Sequence, residues 1–434
     1  MAPNDVIELD GRTGEGGGQL VRIAIALASV ASKTVKVTNI RGRRPGPRGG
    51  ALTNPGLKSQ HVTSIEWLAE ATKADVTGLE VGSKTLEFRP NCGPGDLPDR
   101  NISIRAASAA ASSLLIFQAV FPFLLFAGNE NNEPIELTIS GGTNVSFSLS
   151  YEYLDQVLLP TLEEWYDISV KRKLLERGWS TGTASRGSVW FKIQPLVSGE
   201  KLRLKNEALE LGKRPTDFEI KSVDVTIITT AGLHTELETA LRDDLARMFA
   251  GAVVNFTHKE ESNHEARMYV LLVAKSVKLR WGRDHLYAAK RKGKTAKALS
   301  EEISSQVTND LYAEVSNGEV VDEYLQDQLV IFQALAEGRT SFPRSKSASF
   351  LLMDDQDKET KNLEEKVKEE MDKLSLGEQL RRDKTSKPFG DSETDSRHTQ
   401  TARWVTAEVL NSAVAWYREG RICEGAGLRS GAQV

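Results

Sequence analysis

The segment Leu9-Asp10-Gly11-Arg12-Thr13-Gly14-Glu15-Gly16-Gly17-Gly18-Gln19 sets the carboxylate of Glu15 among glycines, between a short β-rich run and a helical one. Glycines let backbone N–H groups come close to a ligand, and the start of the helix that follows favours an anion. The spacing fits neither the P-loop pattern nor the dinucleotide-binding one, so a phosphate loop and a plain tight turn are both open readings. Two side chains favour the phosphate. A carboxylate such as Glu15 makes sense beside phosphate as a ligand of a divalent metal. Arg22 interrupts an apolar helical face just after Gln19, where a guanidinium needs an anionic partner.

The next segment, Ile40-Arg41-Gly42-Arg43-Arg44-Pro45-Gly46-Pro47-Arg48, is densely cationic. Guanidinium groups bind phosphate oxygens in bidentate fashion, so Arg41 and Arg44 can complete a polyanion cradle; a solvated basic loop is the simpler alternative. Pro55-Gly56-Leu57-Lys58-Ser59-Gln60-His61 closes a turn and starts a helix, with His61 read as structural. Far downstream, Tyr324, Asp327 and Gln328 share one helical face, either solvated or lining a site. His398 lies between hydroxyl residues in Ser396-Arg397-His398-Thr399-Gln400-Thr401 and reads equally as a base, a nucleophile or a residue without chemical role. The six histidines show no HxxxH spacing, which leaves a His-based metal site unsupported.

These residues need a scaffold, and 434 residues with 39% hydrophobic content supply one of two or three domains. Short β-rich runs such as Thr34 to Ile40 and Thr85 to Arg89 alternate with helical ones such as Gln19 to Ala31 and Gln60 to Thr72. The pattern predicts an α+β fold of repeated sheet-and-helix units, with a similar alternation over 189–310 as a smaller inserted α/β domain. Within it Val223 to Thr229 and Met268 to Val273 read as strands, and His234 to Phe249 and Thr295 to Leu311 as helices. From 353 to 397 large apolar residues almost vanish, which predicts a charged disordered insertion. Trp404 to Trp416 regains helical spacing, and 425–434 reads as a flexible tail. The apolar run Leu114 to Ala127 is shorter than the roughly 20 residues a bilayer requires and contains Gln118 and Pro122, so no membrane partner is expected. With no charged-then-apolar leader and only Cys92 and Cys423, a cytoplasmic or nuclear location is expected. The formal net charge of -4 excludes a protein basic all over but not a local cationic patch. One such patch is the basic run Lys290-Arg291-Lys292-Gly293-Lys294 with Lys297, which reads as an RNA-steering surface, a nuclear-import signal or a solvated face.

Read in order, Asp10-Gly11, Glu15-Gly16-Gly17-Gly18-Gln19, Arg22, Ile40-Arg41 with Arg44, Pro55-Gly56-Leu57 with Gln60-His61, Ser140-Gly141-Gly142-Thr143-Asn144, Asp322-Glu323-Tyr324-Leu325 with Asp327-Gln328-Leu329, and His398-Thr399 resemble the RNA 3'-terminal phosphate cyclases. The resemblance runs from residue 5 to about 416, outside the insertions. It implies a large domain of four-stranded-sheet-plus-two-helix units over 1–188, 311–352 and 398–424, carrying the inserted domain. It also implies ATP, Mg2+ or Mn2+, and an RNA ending in a 3'-phosphate, which becomes a 2',3'-cyclic phosphate through a histidine-bound AMP and an RNA-adenylate.

On the same resemblance His398 is the nucleophile. Arg22, Arg41 and Arg44 hold phosphates, Glu15 binds the metal, and Gln60, Gln118, Tyr324, Asp327 and Gln328 bind the nucleotide. The chain departs from the family in the longer spacing between Arg44 and Gln60, in Leu149 where a proline is usual, and in Trp179 to Gly187, which lacks a triple glycine. The competing reading is a non-catalytic, cyclase-like ribosome biogenesis factor of the same fold. That branch lacks the nucleophilic histidine and much of the arginine and glutamate set. The resemblance leaves the oligomeric state open.

Overall fold

The computed structural model describes residues 6–43, 55–287, 293–342 and 381–431. The first unit runs β1 (Ile7–Asp10), α1 (Gln19–Ala31), β2 (Val35–Thr38), α2 (Ser59–Ala71), β3 (Asp75–Thr77) and β4 (Leu86–Arg89). Its sheet has the order β1-β2-β4-β3, with β1 and β2 parallel and the other pairs antiparallel. The second unit comprises β5 (Asn101–Arg105), α3 (Ser113–Leu125), β6 (Ile135–Gly141), α4 (Tyr151–Tyr153), a π-helical turn (Leu154–Leu158), α5 (Leu159–Tyr166), β7 (Ser169–Glu176) and β8 (Gly187–Gln194). Its order, β5-β6-β8-β7, repeats that of the first.

The inserted domain holds β9 (Ser222–Thr229), α6 (Ala231–Met248), β10 (Val253–Glu261), β11 (Met268–Lys275), β12 (Arg280–Tyr287) and α7 (Ala296–Ser316), in the sheet order β10-β9-β11-β12. A last set of elements follows: α8 (Glu323–Leu335), β13 (Glu337–Ser341), α9 (Arg397–Leu410), β14 (Ala415–Tyr417) and β15 (Ile422–Ala426), with the order β13-β15-β14. Its missing first strand is present in reduced form. Arg203 bridges Glu337 in parallel, and the Glu337 N–H donates to the Leu202 carbonyl at 2.8 Å. With that segment beside β13, the order of the first two units recurs a third time. The inserted domain therefore interrupts the third unit between its first strand and its first helix.

The helices pack on one another: α1 lies against α3 and α9, α8 against α9, and α2 against α3. This explains why α1 has buried residues all round, Leu20, Val21, Ile23, Ala24 and Ile25 among them, instead of a single apolar stripe. Ser32 ends α1 in the left-handed region at φ 52°. Helix α3 is apolar except for Ser113 and Gln118, and Ser112 caps it by accepting from the Leu115 N–H at 3.1 Å.

Several expectations are corrected. Strand β8 begins at Gly187 but pairs with β6 and β7, so the inserted sheet starts at Ser222 and not near 189, and its last helix runs to Ser316. Residues 353–380 of the expected charged insertion, and with them the helical stretch Leu363 to Leu380, lie outside the described residues, whereas 381–396 are folded. Arg382 bridges Tyr417, the Gly420 N–H donates to Asp383 at 2.8 Å, and the Phe389 ring meets Trp416 with centroids 6.1 Å apart. Arg403 and Asp395, both with side chains only 3% exposed, form an ion pair at 2.5 Å.

Helix α9 stops at Leu410, so Trp416 belongs to β14 and not to the helix. The expected flexible tail is partly structural: β15 extends through Ala426, and the buried Ser430 hydroxyl donates to the carbonyls of Phe126 and Leu196. Arg44, the Pro47 to Thr53 stretch and Lys290 to Lys292 lie outside the described residues. Of the basic run, Lys294 is paired with Glu302 and Lys297 with Glu301.

Candidate active site

One cleft of about 1010 Å³ is lined from every part of the fold. The first unit contributes Gly18, Gln19, Arg22, Arg41, Gln60 and His61, and the second contributes Gln118, Phe147, Leu149 and Ser150. Tyr269, Asp284 and His285 come from the inserted sheet, and Tyr324, Asp327, Gln328 and His398 from the third unit. The beginnings of α1 (Gln19), α2 (Ser59, Gln60), α8 (Tyr324) and α9 (His398) all reach it. Helix N-termini carry partial positive charge, so together with Arg22, Arg41 and Lys58 they make the cleft attractive to a polyanion.

His398 is exposed, at the second position of α9, whose first turn is capped by Ser396 accepting from the Thr399 N–H at 3.1 Å. Its Nδ1 lies 2.5 Å from Gln19 Oε1. The amide nitrogen of the same Gln19 donates to Asp327 at 3.2 Å. This chain of contacts sets the tautomer. A carboxylate only accepts, so the Gln19 amide must turn its nitrogen to Asp327 and its oxygen to His398. In the neutral ring Nδ1 then carries the proton, and Nε2 keeps a lone pair. Burial pushes the Asp327 carboxyl up to about 6, against the opposing influence of His398, a hydrogen bond from Gln328 at 2.6 Å, and Arg22.

The glycine loop is fastened to the histidine's helix. Gly14 has φ +71°, and a Cβ there would stand 2.1 Å from Thr401 Oγ1. That same hydroxyl accepts the Glu15 N–H at 2.9 Å, so one threonine of α9 fixes the entry to α1. Gly18 is tight for a different reason: a Cβ would meet His61 Nε2 at 2.3 Å and Arg22 Nη1 at 3.1 Å. His61, expected to be structural, lines the cleft wall. It is 1% exposed, and its Nδ1 accepts the Lys58 N–H at 3.1 Å.

Arg41 is buried and takes a left-handed backbone, φ 57°, which costs a non-glycine residue roughly 1 kcal/mol. Glu15 folds back so that its Oε1 accepts the Gln19 N–H at 3.3 Å at the start of α1. Among the described residues no group of three or more His, Cys, Asp or Glu side chains is arranged to hold a metal. A lone carboxylate still fits a Mg2+-like ion, which is commonly held by one or two carboxylates together with substrate phosphates.

Asp322 organises the far wall. It is fully buried and accepts the N–H groups of Tyr324 at 3.0 Å, Leu325 at 2.9 Å and Gly282 at 2.8 Å, and the Tyr153 hydroxyl at 2.6 Å. Tyr269 donates to Asp284 at 3.0 Å, and burial pushes that carboxyl up to about 6. A further ion cluster joins the inserted domain to the second unit: Arg177 pairs with Glu152 and Glu260, each at 2.6 Å.

Glu15 does not line the cleft wall but stands at its edge beside Gly17. The other described candidates, Arg22, Arg41, Gln60, Gln118, Tyr324, Asp327, Gln328 and His398, meet in the one cleft. Sequence reasoning missed the contact of Gln19 with His398, the anchoring by Thr401 and the whole contribution of β11 and β12. For Gln19 a signal existed in its place at the junction of loop and helix. For the inserted strands none did, because their position against the cleft is set by tertiary packing.

The family model described as RNA 3'-terminal phosphate cyclase matches residues 13–353, which include Glu15, Arg22, Arg41 and Asp327 and end before His398. Curated relatives named RNA 3'-terminal phosphate cyclase include one from Methanosarcina mazei, 33% identical over 350 residues, covering 78% of this chain and 89% of the relative. One from Drosophila melanogaster is 30% identical over 360 residues, covering 80% and 88%. One from Pyrococcus furiosus is 30% identical over 336 residues, covering 77% and 87%.

Proposed function

This chain belongs to the RNA 3'-terminal phosphate cyclase family, and we propose that it uses ATP to convert an RNA 3'-terminal phosphate into a 2',3'-cyclic phosphate. The observation that carries the reading is the contact of His398 Nδ1 with Gln19, which in the neutral ring places the lone pair on Nε2, in a cleft edged with arginines. Nε2 attacks the α-phosphorus of ATP; the bond to the β-phosphate breaks and pyrophosphate departs, leaving AMP joined to the histidine. An oxygen of the RNA 3'-phosphate then attacks the same phosphorus, and the electron pair of the P–N bond returns to Nε2. Finally the neighbouring 2'-hydroxyl attacks the 3'-phosphorus, AMP leaves, and the hydroxyl proton passes to solvent or the departing phosphate.

In these steps Arg22 and Arg41, with Arg44 by resemblance, offset the repulsion between triphosphate and RNA end. Gln60, Gln118, Tyr324 and Gln328 hold the nucleotide, and Asp327 orients Gln19. A divalent ion held by Glu15, Mg2+ or Mn2+, supplies charge neutralisation at the phosphates. No helix of the described residues is long and apolar enough to cross a membrane. An RNA substrate together with unpaired Cys92 and Cys423 fits a nuclear or cytoplasmic compartment.

The test is incubation with α-labelled ATP and Mg2+ in the absence of RNA, followed by denaturation. Acid-labile label on the wild-type chain, absent from His398→Ala, is the expected result. An unlabelled wild type overturns the mechanism and leaves the non-catalytic ribosome biogenesis reading; an equally labelled variant overturns His398 as the nucleophile.

A further inference from the structure

We infer that Arg283, on strand β12 of the inserted domain, is a positioning residue for the nucleotide, backing the ring of Tyr324 so that its open face receives the purine of ATP. The inference rests on the reading that this cleft binds ATP with Tyr324 at the base. The guanidinium carbon lies 4.3 Å from the ring centroid, so one face of Tyr324 is covered by a cation. Tyr153 meets the same ring edge-on, with centroids 6.0 Å apart and planes at 73°. Tyr324 nevertheless remains 38% exposed and lines the cleft, so the uncovered face is the one a ligand meets.

The guanidinium cannot swing away. Arg283 is 8% exposed and pairs with buried Glu314 and, at 3.1 Å, with Glu323. The second oxygen of Glu314 accepts the Glu323 N–H at 3.1 Å, tying the same carboxylate to the start of α8. A cation against one face of an aromatic ring draws electron density toward itself and lowers the negative potential of the opposite face. That weakens the repulsion a flat π-system meets on stacking there. A buried ion pair is poor evidence of stabilisation as such, and this one is aimed at an exposed ring in a binding cleft. The inserted domain is thereby part of the ATP site.

The experiment uses the full chain and three readouts: the ATP concentration for half-maximal adenylylation, the RNA concentration for half-maximal cyclisation, and the melting temperature. Arg283→Met is paired with Glu314→Gln, so that no buried carboxylate is left uncompensated. The expected result is a rise of about 5- to 20-fold in the ATP value with the RNA value unchanged. Arg283→Lys, which keeps the charge but not the planar stack, gives a smaller rise of about threefold. In a Tyr324→Leu background the Arg283 change adds nothing further, because the ring it backs is gone. An unchanged ATP value, or an equal penalty in both backgrounds, overturns the inference. If the paired variant does not fold, Arg283→Lys decides alone, and an unaltered ATP value there overturns it. A wild-type chain that takes no label brings down the ATP reading itself, a result distinct from a labelled wild type with indifferent variants.

Discussion

The side-chain oxygen of Gln19 stands 2.5 Å from Nδ1 of His398, joining the first residue of the first helix to the second residue of the last one. Gln19 can face only one way, because its nitrogen is engaged by Asp327. Replacing it by leucine removes the acceptor and frees both tautomers of the imidazole. Gln19→Leu should slow adenylylation by roughly 10- to 100-fold, the usual range for losing a group that orients a reacting side chain. Single-turnover label incorporation measures this, and an unaltered rate would show that the ring is held by other means.

Removing charge from the cleft should affect turnover more than folding. Arg22→Ala and Arg41→Ala are each expected to lower the cyclisation rate by about 10²- to 10³-fold, the cost of one lost electrostatic contact to a transition state. Circular dichroism would confirm an unchanged fold. Kinetics equal to wild type in both variants would refute phosphate binding by these arginines.

Asp327 makes a prediction for pH. Its folded carboxyl is pushed up to about 6 from the ordinary 3.8, chiefly because burial disfavours the charge, with His398 and Arg22 acting in the opposite sense. A raised carboxyl binds its proton more tightly when folded, so its contribution to stability is fully present below pH 3.8 and is lost as pH rises from there through about 6. Asp327→Asn cannot ionise. Relative to wild type its melting temperature should therefore improve between pH 5 and pH 7.5. A constant difference across that range would rule out the elevated carboxyl.

Gly14 tests the fastening of the loop. With φ +71° and Thr401 Oγ1 2.1 Å from where a Cβ would be, Gly14→Ala meets both a strained backbone and a collision. A loss of about 1–3 kcal/mol is expected in urea unfolding. Gly14→Ala with Thr401→Ser relieves only the contacts to the threonine methyl, so most of that loss should persist.

Glu15 is the single residue assigned to the metal. Glu15→Gln should raise the Mg2+ concentration for half-maximal adenylylation several-fold, and EDTA should abolish labelling of the wild type. A Mg2+ dependence that the substitution leaves untouched would remove Glu15 from that role.

Much of this is legible in the sequence. Helix α1 begins and ends where its apolar run does, Gln19–Ala31, because nearly every side chain is buried and the run carries its own boundary. The candidates on α1, α2, α8 and α9 were read from residue type and came together as helix starts. The expected domain boundary at 189 cuts into β8, whose alternation in Gly187–Gln194 is the same whichever sheet it joins. The third unit's first strand is reduced to a bridge at Arg203, too short for any periodic signal. Residues 381–396 read as part of a disordered insertion because they are rich in charge and poor in large apolar residues. Their order comes from pairing, as in Asp395 with Arg403, and pairing partners are not visible in composition.

The contact between Gln19 and His398 spans 379 positions of chain, and that between Glu15 and Thr401 spans 386. A ribosome releases the first unit long before it makes α9, and domains generally begin folding in that order. Until α9 is made, the emerging chain can hold a cleft of growing completeness that still lacks His398. If His398 takes on AMP as proposed, a product truncated ahead of residue 398 could carry no adenylate.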